Sequence, residues 1–191
     1  VVLVPCGYDS TAEAGYSATA YMALRHGWDC VTFEGPGQGG ALYDQGVAMR
    51  PDFDATLTPV VDWVLSQPDV DPTRVALIGR SFGGFLAPRG ASAEPRIGAL
   101  VCDPAQYDFV SRIVPRMISE ADWNKVLAAD PAMDEQLQGL LHGDHNQEYY
   151  GARMVTMGAA TVGDFLRMQV DYTLEGHVAA IACPVLLTEG E

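Results

Sequence analysis

Short apolar segments alternate with stretches of helical periodicity along most of this chain. The apolar segments are rich in β-branched residues and lie at residues 1–5, 29–34, 74–79, 96–103 and 184–190. Between them, apolar residues recur at helical spacing over residues 11–27, 54–68 and 82–92. Near-continuous apolar strands separated by helices are typical of a parallel sheet that is covered on both faces. The pattern therefore predicts an α/β fold with five strands.

The alternation stops between residues 107 and 180. Apolar residues there recur at helical spacing in "WNKVLAA", "MDEQLQGLL" and "VGDFLRMQVDYTL", and no strand pattern is present. We predict a first part of the core at 1–106, a helical cap insertion at 107–180 and the start of a returning core strand at 181–191. The aromatic residues of the insertion, with Met154, Met157 and Met168, either line an apolar pocket or pack the insertion itself, and we favour packing.

Composition narrows the functional classes. The 191 residues are 48% hydrophobic, which suits one globular domain. The net charge of −14 argues against binding to nucleic acid or to an anionic membrane, because both need basic patches. Four widely spaced cysteines form no C-x-x-C pair, so we expect buried free thiols in a reducing cytoplasm. We expect neither a cofactor nor a bound metal.

One short motif indicates catalysis. Gly79-Arg80-Ser81-Phe82-Gly83 fits G-x-S-x-G and lies between an apolar strand and a helix. A serine on such a strand-to-helix turn is the nucleophile of an elbow, and we expect strained backbone angles at Ser81. We also expect side chains at positions 79 and 83 to clash. The N–H group of Phe82, at the start of the helix, is the predicted oxyanion donor.

A second donor is expected from the loop after the first strand, "CGYDST". The N–H group of Tyr8 is the candidate, with that of Gly7 as the alternative. Asp9 either takes part in proton transfer or substrate binding, or caps the following helix. For Ser10 and Thr11 we favour helix capping.

Two further features leave alternatives open. Arg80 either binds an acidic substrate group or holds a neighbouring loop through an Asp or Glu, for which Glu34 is a candidate. The loop "GPGQGG" at 35–40 raises the alternative of a nucleotide-binding domain. We expect no helix to begin on that loop, and the chain lacks G-x-x-x-x-G-K-[ST], so this alternative is disfavoured.

Together, "GRSFGGFLAPR", "GYDST", "FEGPGQGGALYDQG" and "LEGHVAAIACPVLLTEGE" resemble the α/β-hydrolase superfamily. The resemblance is to the branch of FrsA-like esterases, 2,6-dihydroxypseudooxynicotine hydrolase and fungal polyketide-shortening hydrolases. It implies a three-layer fold and a Ser-His-Asp hydrolase that acts through an acyl-enzyme. The bond cleaved would be an ester, an amide or a carbon–carbon bond beside a ketone. Ser81 would be the nucleophile, Phe82 and Tyr8 the oxyanion hole, and Asp9 an acidic position typical of the carbon–carbon hydrolases.

The resemblance also implies a small-molecule substrate with an apolar or aromatic acyl part, and a homodimer stays open. The triad acid and histidine are expected one after the other beyond Glu191, so we expect a fragment of a longer enzyme, cut at both ends. Alternatives are Glu191 as the acid, a noncatalytic relative, and a metal site at His142, Asp144 and His145. A further alternative is a general base among the four histidines of the chain, which are His26, His142, His145 and His177.

Overall fold

Five parallel strands form one sheet in the computed structural model, which describes residues 1–111 and 118–189. The strand order is β2-β1-β3-β4-β5. The strands are β1 Val2–Pro5, β2 Cys30–Phe33, β3 Ala76–Arg80, β4 Ala99–Asp103 and β5 Val185–Leu187. The α/β class, the five strands and their parallel direction are confirmed.

Helices connect the strands as expected for parallel neighbours. They are α1 Ala12–Gly15, α2 Tyr21–Arg25, α3 Gly39–Tyr43, α4 Asp54–Leu65 and α5 Gly83–Ala91. A π-helical turn, Tyr16–Ala20, joins α1 to α2. Thr11 caps α1, since its side chain accepts from the Ala14 N–H, which confirms its expected capping role. A short 3-10 helix, Val178–Ala180, precedes β5.

The two faces of the sheet carry different parts of the core. Val2 and Val4 form a buried cluster with Ala23 of α2. Leu3, Leu77 and Leu100 lie side by side in the strand register, and all three are at most 1% exposed. Because successive strand residues point to opposite faces, this second set lies on the other side of the sheet. Helices thus cover both faces, and the three-layer prediction is confirmed.

The segment "GPGQGG" differs from the prediction, because α3 begins at Gly39. The reason is local: the Glu34 carboxylate accepts from the Gly40 N–H at 2.8 Å and from the Ala12 N–H at 3.2 Å. A side chain at the end of β2 therefore satisfies the first turn of α3. The chain's own carboxylate occupies the place that a phosphate would need, which argues against nucleotide binding on different grounds from those of the sequence.

Residues 108–173 form a second compact unit, and residues 1–107 with 174–191 form the first. The insertion was expected at 107–180; residues 174–180 cluster instead with the sheet unit. The helices of the second unit are α6 Glu120–Leu127, α7 Pro131–Gln138, α8 Asp144–Met157 and α9 Val162–Met168. Short 3-10 helices occur at Gly139–Leu141 and Gln169–Asp171.

Buried side chains and the hydrogen bonds of one arginine hold the helices of the second unit together. Trp123, Met157 and Tyr172 are at most 8% exposed, which favours the packing interpretation for these three. Met154 and Met168 are half-buried and Tyr149 is 45% exposed, so the prediction is not confirmed for the whole set. The Arg167 guanidinium donates to the Val126 carbonyl at 3.0 Å and to the Asp134 carboxylate at 2.9 Å. Arg167 thereby links three helices of the unit.

The cysteines are free thiols. Cys6 and Cys102 are buried, and Cys30 and Cys183 are half-buried. Among the residues that the structure describes, no helix is both long enough and apolar enough to cross a membrane.

Candidate active site

Ser81 lies in the turn between β3 and α5, at the carboxyl edge of the sheet. Its φ angle is +54°, a left-handed conformation that L-residues other than Asn and Asp rarely adopt. The turn is stabilised by the Ser81 N–H, which donates to the Asp103 carbonyl on β4 at 2.7 Å. Ser81 is exposed. The strained backbone that the motif predicts at Ser81 is therefore present.

The glycines around Ser81 allow helix and strand to approach closely. A Cβ on Gly79 would overlap the Gly83 carbonyl oxygen, as expected. The expected clash at Gly83 is wrong: a Cβ there would lie 3.6 Å from the Pro5 carbonyl oxygen, an ordinary contact. The next residue, Gly84, is the tight position, since its Cβ would overlap the Pro104 carbonyl oxygen. The reason is that the first turn of α5 packs against the chain that leaves β4.

The loop after β1 lies directly beside Ser81. A Cβ on Gly7 would lie 3.4 Å from the Ser81 Cβ, and the Tyr8 ring packs edge-on against Phe82 with centroids 5.3 Å apart. The Gly7 N–H donates to Ser10 Oγ at 2.7 Å and is engaged within the loop, and the N–H of Tyr8 remains the predicted second oxyanion donor. Ser10 thus shapes this loop.

Two buried glutamines contact these backbone segments, and the sequence analysis assigned neither of them a role. Gln38 Nε2 donates to the Cys6 carbonyl at 2.8 Å and to the Gly7 carbonyl at 3.0 Å. Gln106 Nε2 donates to the Ser81 carbonyl at 2.6 Å. Each glutamine is an uncharged polar residue in a loop that follows a strand at the carboxyl edge of the sheet. This position is the sequence feature from which they could have been predicted.

A cleft of about 320 Å³ opens at Ser81. Its walls include Tyr8, Asp9 and Arg80, and α1 and the π-helical turn contribute Ala14 and other residues. Asp9 is exposed, and Thr11 caps α1 in its place, so the structure contradicts helix capping by Asp9. A larger cavity, about 560 Å³, lies among the strand starts at the opposite edge of the sheet. The smaller cleft is the one that contains the candidate nucleophile.

Arg80 is paired, but not with Glu34. Arg80 Nε lies 3.3 Å from Asp103 Oδ2, and a terminal nitrogen donates to the Ala18 carbonyl at 3.5 Å. Thr188 donates to the other oxygen of Asp103. The Thr188 hydrogen bond and the Arg80 charge lower the pKa of Asp103 below its usual value of 3.8. The ends of β3 and β4 and the residue after β5 are thus joined, which supports the loop-holding role for Arg80.

The structure separates His26 from the nucleophile. The His26 ring packs on Trp28 at 5.5 Å and lines the cavity among the strand starts, whereas Ser81 lies at the strand ends. His26 is therefore wrong as a general base. His142 contacts the Gly139 carbonyl in the second unit, at 3.1 Å, and His145 lies in the same unit. His177 lies at the start of the 3-10 helix before β5.

Two of the predicted alternatives fall on residues that are not described. Glu191 lies outside the described residues, and so does the side chain of Asp144, the middle ligand of the predicted metal alternative. Among the described side chains of residues 1–111 and 118–189, which leave out that of Asp144, no group of three or more His, Cys, Asp or Glu could hold a metal ion.

Comparison of the sequence with known proteins identifies its family. The sequence pattern of the alpha/beta hydrolase family matches residues 1–191. Hydrolase acrC of Aspergillus aculeatus is 30% identical over 204 residues, 98% of this chain and 45% of that protein. The 20-hydroxy-prefusarin hydrolase FUS2 of Gibberella moniliformis is 30% identical over 205 residues, 98% of this chain and 46% of that protein. The chain therefore spans about half the length of these curated relatives.

A solved structure gives the same fold. The crystal structure of the 2,6-dihydroxy-pseudo-oxynicotine hydrolase aligns with a TM-score of 0.70 at 20% identity, over 96% of this chain and 44% of that one. The fold, the strained serine turn and the sequence match along residues 1–191 lead to one conclusion. The chain belongs to the alpha/beta hydrolase family.

Proposed function

We propose that this chain carries the nucleophile and the oxyanion hole of a serine hydrolase. The observation that carries the proposal is the left-handed φ of +54° at Ser81, in a turn that opens onto a cleft. A strained serine is costly, and such strain persists where the surrounding structure enforces it, most often at functional sites. The relatives' names support hydrolysis, since both curated proteins described above are called hydrolases.

The proposed reaction is the acyl-enzyme route that the family resemblance implies, and its histidine base is not assigned to a residue. A histidine base accepts the proton of Ser81, and the Ser81 oxygen forms a bond to the substrate carbonyl carbon. The N–H groups of Phe82 and Tyr8 stabilise the negative charge on the carbonyl oxygen. The tetrahedral intermediate then collapses, and the leaving group departs with the proton from the histidine. Water, activated by the same histidine, hydrolyses the acyl-enzyme and restores Ser81.

We propose a small-molecule substrate with an apolar or aromatic acyl part. The cleft volume of about 320 Å³ is at the small end of ordinary ligand pockets. Its walls combine apolar residues such as Val4 and Ala14 with the carboxyl group of Asp9. If the cleaved bond is a carbon–carbon bond beside a ketone, the carbanion leaving group takes up the proton that the histidine accepted from Ser81, and Asp9 is proposed to take part in that transfer.

Labelling and substitution of Ser81 test this proposal in the full-length protein. A fluorophosphonate probe should modify Ser81 alone, as read by peptide mass spectrometry. Ser81→Ala should abolish labelling and lower kcat by about 10⁴-fold or more, because the nucleophile is removed. Ser92→Ala is the matched control: Ser92 follows the same helix, and its hydroxyl donates to the Arg89 carbonyl at 2.7 Å. Its kcat should stay within about twofold of wild type.

Two outcomes would contradict the proposal. Near-normal turnover by Ser81→Ala would exclude Ser81 as the nucleophile. A folded wild-type protein that neither reacts with the probe nor turns over activated esters would favour a noncatalytic member of the family.

A further inference from the structure

Two peptide groups form the proposed oxyanion hole, and each has its carbonyl bound to a buried glutamine. The Tyr8 N–H belongs to the peptide whose carbonyl is that of Gly7, and Gln38 Nε2 donates to this carbonyl at 3.0 Å. The Phe82 N–H belongs to the peptide whose carbonyl is that of Ser81. Gln106 Nε2 donates to that carbonyl at 2.6 Å.

Peptide geometry turns these carbonyl contacts into control of the N–H direction. A trans peptide is planar, and its C=O and N–H bonds point in opposite directions. Among the described residues, the one cis peptide bond is Asp103–Pro104, so both oxyanion peptides are trans. A donor that fixes the carbonyl on one side of the plane therefore aims the N–H on the other side.

We propose that Gln38 and Gln106 are positioning residues that aim the Tyr8 and Phe82 N–H groups at the developing oxyanion. This inference rests on the proposed function. Oxyanion stabilisation depends on donors that are oriented before the reaction, and reorientation during the reaction would raise the barrier. Neither glutamine touches the substrate carbonyl in this role.

Each glutamine is itself held in place. Gln38 is 2% exposed, and its Oε1 accepts from the Gly35 N–H at 2.7 Å, which sets the direction of the side-chain amide. Gln106 is 8% exposed, and its backbone N–H donates to the Gly84 carbonyl at 3.3 Å. The two come from different loops, after β2 and after β4. This role also accounts for the "GPGQGG" loop, since it places Gln38 under the loop that follows β1.

The two positions should not be equally sensitive. The Ser81 carbonyl has a second donor, the Gly84 N–H at 2.9 Å. Gln38 holds the Cys6 carbonyl at 2.8 Å as well as that of Gly7, so it fixes two consecutive peptides. Loss of the Gln38 amide should therefore reduce catalysis more than loss of the Gln106 amide.

Methionine substitutions test the proposal in the full-length protein, because methionine has nearly the same length as glutamine and no N–H donor. For Gln38→Met we expect kcat to fall about 10- to 100-fold, less than the loss of a whole oxyanion donor. For Gln106→Met we expect a smaller fall. KM should change less than about twofold in both, since ground-state binding is untouched.

Gln169→Met is the matched control. Gln169 is 4% exposed, and its Nε2 donates to the Phe165 carbonyl at 3.2 Å in the second unit. It should lose stability like the other two variants and keep kcat. If all three variants lose kcat in proportion to their stability, the two glutamines are structural residues only and the proposal fails.

A second measurement does not need turnover. In the resting protein, amide hydrogen exchange at Tyr8 and Phe82 should be faster in Gln38→Met and Gln106→Met, respectively, with little change in the rest of the sheet unit. Gln38→Leu and Gln106→Leu, which also lack an N–H donor, replace any methionine variant that does not fold. Unchanged exchange and unchanged kcat would overturn the inference, whereas retained turnover by Ser81→Ala would instead overturn the proposed function.

Discussion

Gly84→Ala should destabilise the protein, although alanine normally stabilises a helix. Gly84 lies in the first turn of α5, and an added Cβ would overlap the backbone carbonyl oxygen of Pro104. Backbone cannot rotate away as a side chain can, so α5 has to shift off the chain that leaves β4. Overpacking typically costs about 1–3 kcal/mol, and we expect a cost of about 3 kcal/mol for an overlap with backbone. Alanine offsets about 1 kcal/mol of this cost, because it lowers the entropy of the unfolded chain and has a higher helix propensity than glycine.

The net effect expected for Gly84→Ala is a loss of about 2 kcal/mol. In a chain of this size, that corresponds to a fall in Tm of about 4–8 °C. The neighbouring Gly83→Ala is the control, because its Cβ would lie 3.6 Å from the nearest backbone oxygen. Gly83→Ala should be neutral or stabilise by up to about 1 kcal/mol.

Thermal and denaturant unfolding of the two variants, side by side, measure this difference. Similar unfolding free energies for Gly83→Ala and Gly84→Ala would refute the reasoning, because the two differ only in what the added methyl group meets. If Gly83→Ala lost stability and Gly84→Ala did not, the result would support the clash at position 83 that the sequence motif predicted.

Two further predictions concern ionisable side chains. Arg96 donates a hydrogen bond to the buried Glu94 carboxylate and lowers the pKa of that carboxyl group below 4.5. The ionised Glu94 therefore stabilises the folded protein fully above about pH 5, and this stabilisation is lost as the pH falls through the folded-state pKa. Glu94→Gln should cost about 1–2 kcal/mol at pH 7 and flatten the acid dependence of unfolding; an unchanged acid profile would contradict it. Burial raises the pKa of Cys6 and Cys102 to about 11, so iodoacetamide at pH 8 should label them about a hundredfold more slowly than in the unfolded chain, by peptide mass spectrometry.

The site was partly readable from the sequence because an elbow is a local structure. Gly79, Ser81 and the flanking apolar strand and helix are contiguous, so the positive φ at Ser81 could be expected from the motif alone. The importance of Gly84 could not be predicted from the motif, because the group that excludes a Cβ there is the carbonyl of Pro104, twenty residues later. The same limit led to Glu34 as the expected partner of Arg80.

The partners of the predicted site residues needed the tertiary structure. Gln38 lies 31 positions from the Gly7 carbonyl that it holds, and Gln106 lies 25 positions from that of Ser81. Gln38 lies in the segment "GPGQGG", but nothing in that segment indicates which carbonyls its side chain contacts, and Gln106 lies outside the quoted motifs. The sheet order β2-β1-β3-β4-β5 brings the loops together, because parallel strands end at the same edge.

The sequence by itself determined the alternation of strands and helices, the family resemblance and the position of Ser81. These features depend on hydrophobic periodicity and on residues within one turn of each other. Only the tertiary structure decided that Asp103 holds Arg80 and that Glu34 binds the start of α3. It also decided that two buried glutamines bind the carbonyls of Gly7 and Ser81. Such contacts form where loops from distant parts of the sequence meet. Their energies depend on interatomic distances that only the folded structure fixes.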